Sequence, residues 1–454
     1  MTAFKPRLAA LIHILSAGLV ERATPVRLAL LAALASEHIL LVGAPGTAKS
    51  ELARRLHRAF RDAAYFERLL TRFSVPEELF GPLSIAALEQ DRYERQTDGY
   101  LPSASIAFID EVFKANSAIL NALLTLLNER EFDNGASRVK TPLISVVGAT
   151  NEVPDDEVGA AFYDRFLVRC QLEPVSAPGF EELLRLPEAD FGSPDPAAKL
   201  GRDDLAAIDA GVGSVTLPQE VTELLAAMRE FLSGQGIYVS DRRWRKLVRL
   251  LKTAALTDGR DAVSVWDLWL AQFCAIQRLD QRPLVEQWFA ARVGTDRVHN
   301  PERFTRAVEA FEAQLELERS SEELNYDASG RLAVAGVNDG KGGEPAPRMT
   351  YFGKYRRYGR THVNARVNQV QEMMDQANGF LARLDAVLED LGRISRDHLW
   401  IDPAFFEKAR ANLLGTRATA ETLALRLAGT REGFRALPLL EADPGQRPDP
   451  VVLD

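Results

Sequence analysis

Gly43-Ala44-Pro45-Gly46-Thr47-Ala48-Lys49-Ser50 stands directly after the apolar run Ile39-Leu40-Leu41-Val42 and directly before a helical pattern over 51–60. A strand, a tight glycine-bearing loop and a helix opening on Lys-Ser make a cradle for phosphate. Backbone N–H groups turn inward, and the positive end of the helix dipole adds to them. In such a cradle Lys49 reaches the β- and γ-phosphates and the Ser50 hydroxyl ligates Mg2+, while Gly43 to Thr47, Ala48 and Glu51 line the site. Ala48 stands where the strict pattern has glycine. Its methyl is tolerable there if the residue is already helical.

Two later segments supply what phosphate chemistry needs next. Residues 105–109 (Ser-Ile-Ala-Phe-Ile) read as a short buried strand ending in Asp110-Glu111. An acidic pair at the carboxyl end of a parallel strand lies where open α/β sheets bind ligands. Asp110 would hold the metal and Glu111 would polarise an attacking water. A third apolar strand over 143–148 leads to Ala149-Thr150-Asn151. Asn151 could orient that water or bond the terminal phosphate.

These groups need a layered α/β core to position them, and the chain is long enough for more than one domain: 454 residues, 46% hydrophobic and 26% charged. No apolar run approaches the ~20 residues of a membrane span, and residues 1–6 lack a signal pattern, so a cytoplasmic protein is expected. The two cysteines, Cys170 and Cys274, have no metal spacing and read as buried thiols, and the six histidines give no zinc motif. A net charge of −9 argues against broad polyanion binding.

The periodicity predicts helices over 6–18 and 22–35, then the loop unit. Residues 83–100 alternate apolar and charged types and contain Asp98-Gly99; they read as a projecting hairpin. An amphipathic helix carries Ile119, Leu120, Leu123, Leu124 and Leu127, and Asn134-Gly135 marks a second hairpin. The expected divisions are a nucleotide-binding core over 1–178, a linker over 179–215 and an all-α lid over 216–298. A helical bundle follows over 299–435, interrupted by a loop over 325–360, with a disordered tail over 436–454. Within the lid, Asp241-Arg242-Arg243-Trp244-Arg245-Lys246 is basic at a helix start, where the dipole disfavours cations; a nearby phosphate would account for it. Residues 349–362 interleave Tyr, Phe, Arg and Lys. A protein contact or packed loop suits this acidic chain better there than nucleic acid.

Assembled, these residues resemble the AAA+ ATPases, and within them the MoxR branch. Residues 43–50 resemble its Walker A loop, which often carries Ala before Lys. Phe108-Ile109-Asp110-Glu111 resembles Walker B, Ala149-Thr150-Asn151-Glu152 sensor 1, and Asp164-Arg165-Phe166 the segment with the arginine finger. By that likeness Arg165 is the finger, with Arg169 second, and Arg242 rather than Arg243 is sensor 2. The two hairpins resemble the helix-2 and pre-sensor-1 inserts. Residues 79–85, 99–102, 126–132 and 239–244 are similar to the regulatory ATPase variant A (RavA) subfamily, as is the stretch around Leu399-Trp400-Ile401-Asp402.

The resemblance implies a P-loop AAA+ α/β core with a helical lid and a C-terminal helical bundle. It implies ATP and Mg2+, catalytic roles for Glu111, Asn151, Arg165 and Arg242, a homo-oligomeric ring (usually a hexamer), and a partner with a von Willebrand factor A (VWA) domain. In the RavA subfamily a β-rich module in the helical domain binds lysine decarboxylase. The stretch 325–360 in its place is too short for the whole module, which leaves that partnership unsupported. The expected function is a motor that remodels a protein partner. A nucleic-acid motor, a slow nucleotide-gated scaffold and the motor subunit of a metal chelatase are the alternatives.

Overall fold

The computed structural model describes residues 4–154, 157–187, 192–323 and 354–452. They divide into two units: one comprises 1–293 with 395–406, the other 294–394 with 407–454.

In the first unit the apolar runs become strands buried on both faces, as parallel strands between helical layers must be. Five strands, β1 (Ile39–Gly43), β2 (Tyr65–Leu69), β3 (Ile106–Asp110), β6 (Ser145–Thr150) and β7 (Val168–Leu172), form one parallel sheet in the order β2-β3-β6-β1-β7. Between β3 and β6 in sequence, β4 (Glu131–Asn134) and β5 (Ser137–Lys140) make a separate antiparallel hairpin. The strands that carry the loop, the acidic pair and Asn151 are therefore immediate neighbours in the sheet. Val42 pairs with Thr150 and Ile109 with Gly148, so all three functional segments leave the same edge.

Around the sheet lie α1 (Phe4–Ser16), α2 (Ala23–Leu34), α3 (Lys49–Arg58), the short α4 (Pro76–Phe80) and α5 (Ile85–Leu88), α6 (Ser117–Glu129) and α7 (Glu157–Tyr163). Helix α6 starts where the Asn116 side chain accepts from the Ile119 N–H, and buries Ile119, Leu120, Leu123, Leu126 and Leu127. Then come α8 (Ala177–Leu184), α9 (Arg202–Val212), α10 (Gln219–Gly234), α11 (Asp241–Thr257) and α12 (Arg282–Arg292).

Several expectations shift. Residues 83–100 are not a strand hairpin: they hold α5 and a single bridge between Leu83 and Arg95. Helices α8 and α9 occupy much of the stretch read as linker. The lid segment after Ser264 is a tight 3-10 turn over Val265–Phe273 rather than an α-helix.

Residues 395–406 belong to the first unit through a buried ionic cluster. Asp267 is fully buried, and burial alone would raise its pKa; hydrogen bonds from His398 and Arg260 hold it instead at about 2. The His398 Nδ1 faces the N–H groups of Trp400 and Ile401, so its proton sits on Nε2, toward Asp267.

The second unit is built on α13 (Glu302–Ser320), α14 (Arg360–Ser395) and α15 (Pro403–Arg435) around Phe304, Val308, Phe311, Val370, Leu427 and Phe434. Two residue pairs, β8 (Glu322–Glu323) and β9 (Lys354–Tyr355), join antiparallel; most of the stretch read as a loop over 325–360 lies outside the described residues. The segment read as a disordered tail makes defined contacts as far as it is described. Leu439 pairs with Tyr358, Asp443 accepts from Thr361, and the Asp449 carbonyl accepts from Arg366.

His38 lies at the base of the sheet, fully buried. Its Nε2 donates to the Leu127 carbonyl at 3.1 Å and its Nδ1 accepts from the Val146 N–H at 3.0 Å. Burial first, then the charge of Arg130, depress its pKa well below the ordinary value. A neutral ring in the fold and a titrating one in the unfolded chain make stability complete above a pH of ~6.5 and lost as pH falls below it, by up to ~1.4 kcal/mol per pH unit. Thermal melts between about pH 7.5 and 5.5 should therefore show a smaller loss for His38→Gln than for the wild type.

Candidate functional site

Between β1 and α3 the loop curls through two residues of left-handed backbone, Gly46 at φ 82° and Ala48 at φ 68°. The condition under which the sequence reading tolerated Ala48, a helical backbone, is not met, and its methyl is held in a conformation that costs an L-residue roughly 1–2 kcal/mol. Gly43 has a different reason. A Cβ there would lie 2.3 Å from the Leu172 carbonyl oxygen, so only glycine lets β1 end flat against β7.

Lys49 is 7% exposed, and its ammonium donates to the carbonyls of Gly43 at 2.6 Å and Ala44 at 3.0 Å and to the Asn151 Oδ1 at 3.3 Å. The Asn151 Nδ2 donates to the Glu111 Oε1 at 2.8 Å. The other Glu111 oxygen pairs with Lys114 at 3.2 Å. Glu111 itself sits at φ 49°, a left-handed backbone that is strained for a residue with a side chain. The Asp110 Oδ1 accepts from the Glu111 N–H. The structure thus brings Lys49, Asp110, Glu111 and Asn151 to one edge of the sheet. Beside them opens a cleft of about 770 Å3, walled by Gly43–Pro45, Asn151, the end of β7 and Arg278–Asp280.

Ser50 and Asp110 are hard oxygen donors of the kind Mg2+ takes together with phosphate oxygens and water. Among the described residues no cluster of three or more His, Cys, Asp or Glu is placed to hold a metal.

Arg165 and Arg242 are elsewhere. Arg165 follows α7 with its Nη1 3.9 Å from its neighbour Asp164, and its Nε is buried without a hydrogen-bond partner among the described residues. Burial first, and the charge of Arg242 second, lower its pKa. Arg242 donates to the Asn128 Oδ1 at 2.6 Å, at the end of α6. Among the described contacts neither arginine reaches the loop 43–50 or Glu111. The two lie close enough for their charges to interact, with Asp164 beside Arg165.

The two arginines named as their alternates are parts of the frame. Arg243 is 4% exposed and donates to the carbonyls of Asp164, Phe166, Leu167 and Cys274. Arg169 is 2% exposed, donates to Ile276 and Tyr163 carbonyls and lies over the Tyr163 ring. Burial first, then Arg243, pull its pKa down to about 9. Both are committed to backbone carbonyls in this structure.

The two inserts meet each other. The Asn134 side chain accepts from the Arg95 N–H at 2.7 Å and donates to the Arg95 carbonyl at 3.2 Å. Gly135 leaves room for the Tyr93 carbonyl, which a Cβ would strike at 2.1 Å.

Sequence reasoning missed Arg22, Lys114 and Arg278. Arg22 had a usable signal, the same one that singled out Arg242: a cation at a helix start, where the dipole repels it.

Comparison with known proteins agrees with this geometry. Residues 6–192 match the family described as the MoxR domain in the MoxR-vWA-beta-propeller ternary systems, and residues 220–289 match an AAA lid domain. Two uncharacterised proteins of Methanocaldococcus jannaschii are 42% and 41% identical over 255 residues, 56% of this chain and 66% and 67% of theirs. The chain thus spans about two thirds of their length. Protein MoxR of Paracoccus denitrificans is 27% identical over 275 residues, 54% of this chain and 80% of that protein. A crystal structure of a provisionally assigned ATPase from Cytophaga hutchinsonii, 18% identical, matches with a TM-score of 0.51 over 63% of this chain and 93% of its own, and supports the fold. The chain belongs to the MoxR-type AAA+ ATPase family.

The burial of the adjacent arginines separates them experimentally. Arg243→Ala should lose about 3 kcal/mol or more of stability by orphaning buried carbonyls. Arg242→Ala should melt within experimental error of the wild type.

Proposed function

We propose that this chain hydrolyses ATP at the boundaries between subunits of a homo-oligomeric ring, and uses the cycle to remodel a protein partner together with a VWA-domain protein. The observation that carries this reading is the hydrogen-bonded run Lys49–Asn151–Glu111, with Arg165 and Arg242 held apart from it on the same chain. One chain holds the phosphate cradle and the base, and in this reading Arg165 acts on a neighbour's nucleotide.

In this reading the loop N–H groups and Lys49 bind the β- and γ-phosphates. Ser50 and Asp110 hold Mg2+, which neutralises phosphate charge. Asn151 orients a water and Glu111 takes its proton as the oxygen bonds to the γ-phosphorus; the bond to the bridging oxygen breaks and ADP departs. The neighbour's copy of Arg165 stabilises the charge in transfer, a contribution of ~10³–10⁵ in rate for such fingers. Arg242 sits beside it and would act from the same side. The sequence reading had it sensing the γ-phosphate from the lid, and its contact with Asn128 favours the neighbouring subunit's nucleotide instead. The VWA partner is supported by the description of the matched family. The likeness to the RavA subfamily rests on the motif stretches alone, and the hexamer on the resemblance.

A nucleic-acid motor would need free cations on the inserts. Arg92 pairs with Glu94, Arg95 with Glu77, and Arg138 with Asp133 and Glu129. Those pairs leave little for phosphates to bind, which favours a protein partner.

Glu111→Gln should bind ATP with wild-type affinity, measured by equilibrium titration with a fluorescent analogue, while turnover falls at least ~100-fold. Turnover within a few-fold of the wild type would remove Glu111 as the base.

A further inference from the structure

The buried guanidinium of Arg22 touches the phosphate loop from behind. Arg22 is the residue before α2 and is 7% exposed. Its Nε donates to the Thr47 carbonyl at 3.2 Å, its Nη2 to the Glu173 carbonyl at 2.5 Å, and its Nη1 to the Glu21 carbonyl at 3.1 Å. One planar fork thereby joins the turn of the loop, the chain just past β7 and the entry to α2. A lysine ammonium carries no such rigid fork.

The bond to Thr47 has a directional consequence. In a trans peptide the C=O and the following N–H point in opposite directions. With the Thr47 oxygen drawn toward Arg22, the Ala48 N–H is aimed away from it, toward the other side of the loop. Among the described residues the N–H groups of Gly46, Thr47 and Ala48 have no protein acceptor. Ala48 holds this orientation in left-handed backbone at φ 68°, a conformation that an alanine leaves unless something restrains it. Thr47 adds a second restraint, its hydroxyl donating to the Ala44 carbonyl at 2.9 Å.

We propose that Arg22 is a positioning residue for the phosphate loop: by gripping the Thr47 and Glu173 carbonyls it fixes the Thr47–Ala48 peptide with its N–H presented to the nucleotide's β-phosphate. This rests on the ATPase reading above and deepens it. Arg22 touches no reacting atom, so its loss acts on nucleotide affinity and spares the chemical step.

The test compares the full-length wild type with Arg22→Ala and Arg22→Lys, using a fluorescent ADP analogue for affinity, steady-state ATP turnover for KM and kcat, and thermal melting. Both variants should weaken ADP binding and raise KM by about tenfold, the scale of a lost hydrogen bond from a charged donor, with kcat at saturating ATP within about threefold of the wild type. Lysine should not rescue, because its ammonium cannot span both carbonyls in the guanidinium's geometry. Affinity within twofold of the wild type in Arg22→Ala overturns the proposal, as does full rescue by lysine, which would mean that only the charge matters. A fall in kcat that tracks a fall in melting temperature in both variants overturns it too, by showing a structural role. If the wild type itself neither binds ADP nor turns over ATP, the ATPase reading fails first and takes this inference with it. If the wild type is active and the variants match it, only the role of Arg22 falls.

Discussion

The Asn151 side chain accepts from the Lys49 ammonium and donates to the Glu111 carboxylate, and through it three strands act as one site. That bridge exists because β1, β3 and β6 are neighbours with their carboxyl ends in register. A shift of one residue in any of these strands would turn the side chain to the opposite face of the sheet and break the run. The apolar strand interiors, buried on both faces, are what make such a slip costly. The fold thus spends its most buried surface on setting three polar groups side by side.

A second constraint is the sorting of arginines. Arg22, Arg169 and Arg243 are buried and committed to backbone carbonyls, tying segments far apart in sequence into a rigid frame. Arg165 and Arg242 are less buried, lie near one another and have few partners. Arg165 and Arg242 oppose each other's charge, and Asp164 beside Arg165 offsets part of that repulsion. At the phosphate cradle Lys49 is joined by Lys114, paired with Glu111, and by Arg278 on the cleft wall.

The phosphate loop, the acidic pair and Asn151 were legible in the sequence because each is a local pattern, an apolar strand followed at once by its functional residue. The lid helix Asp241–Thr257 was legible for the same reason. What the sequence withheld were contacts whose partners are backbone atoms. Arg169 and Arg243 differ from Arg165 and Arg242 only in which carbonyls surround them, and every residue carries a carbonyl. The choice of Arg242 over Arg243 came from the family likeness; the difference in burial between them was not legible. The union of the two inserts through Asn134 and Arg95 was equally hidden, since residues 83–100 lack the strand pairing that their alternation suggested. The left-handed backbone of Ala48 was not legible either, because neighbouring residues alone do not reveal it.

The most direct measurement mixes two variants that are each inactive alone, Lys49→Ala and Arg165→Ala, and reads ATP turnover of the mixture. The account predicts that turnover returns, because some boundaries then combine an intact cradle on one subunit with an intact Arg165 on the next. A mixture that assembles and stays as inactive as its parts would contradict a site shared between chains.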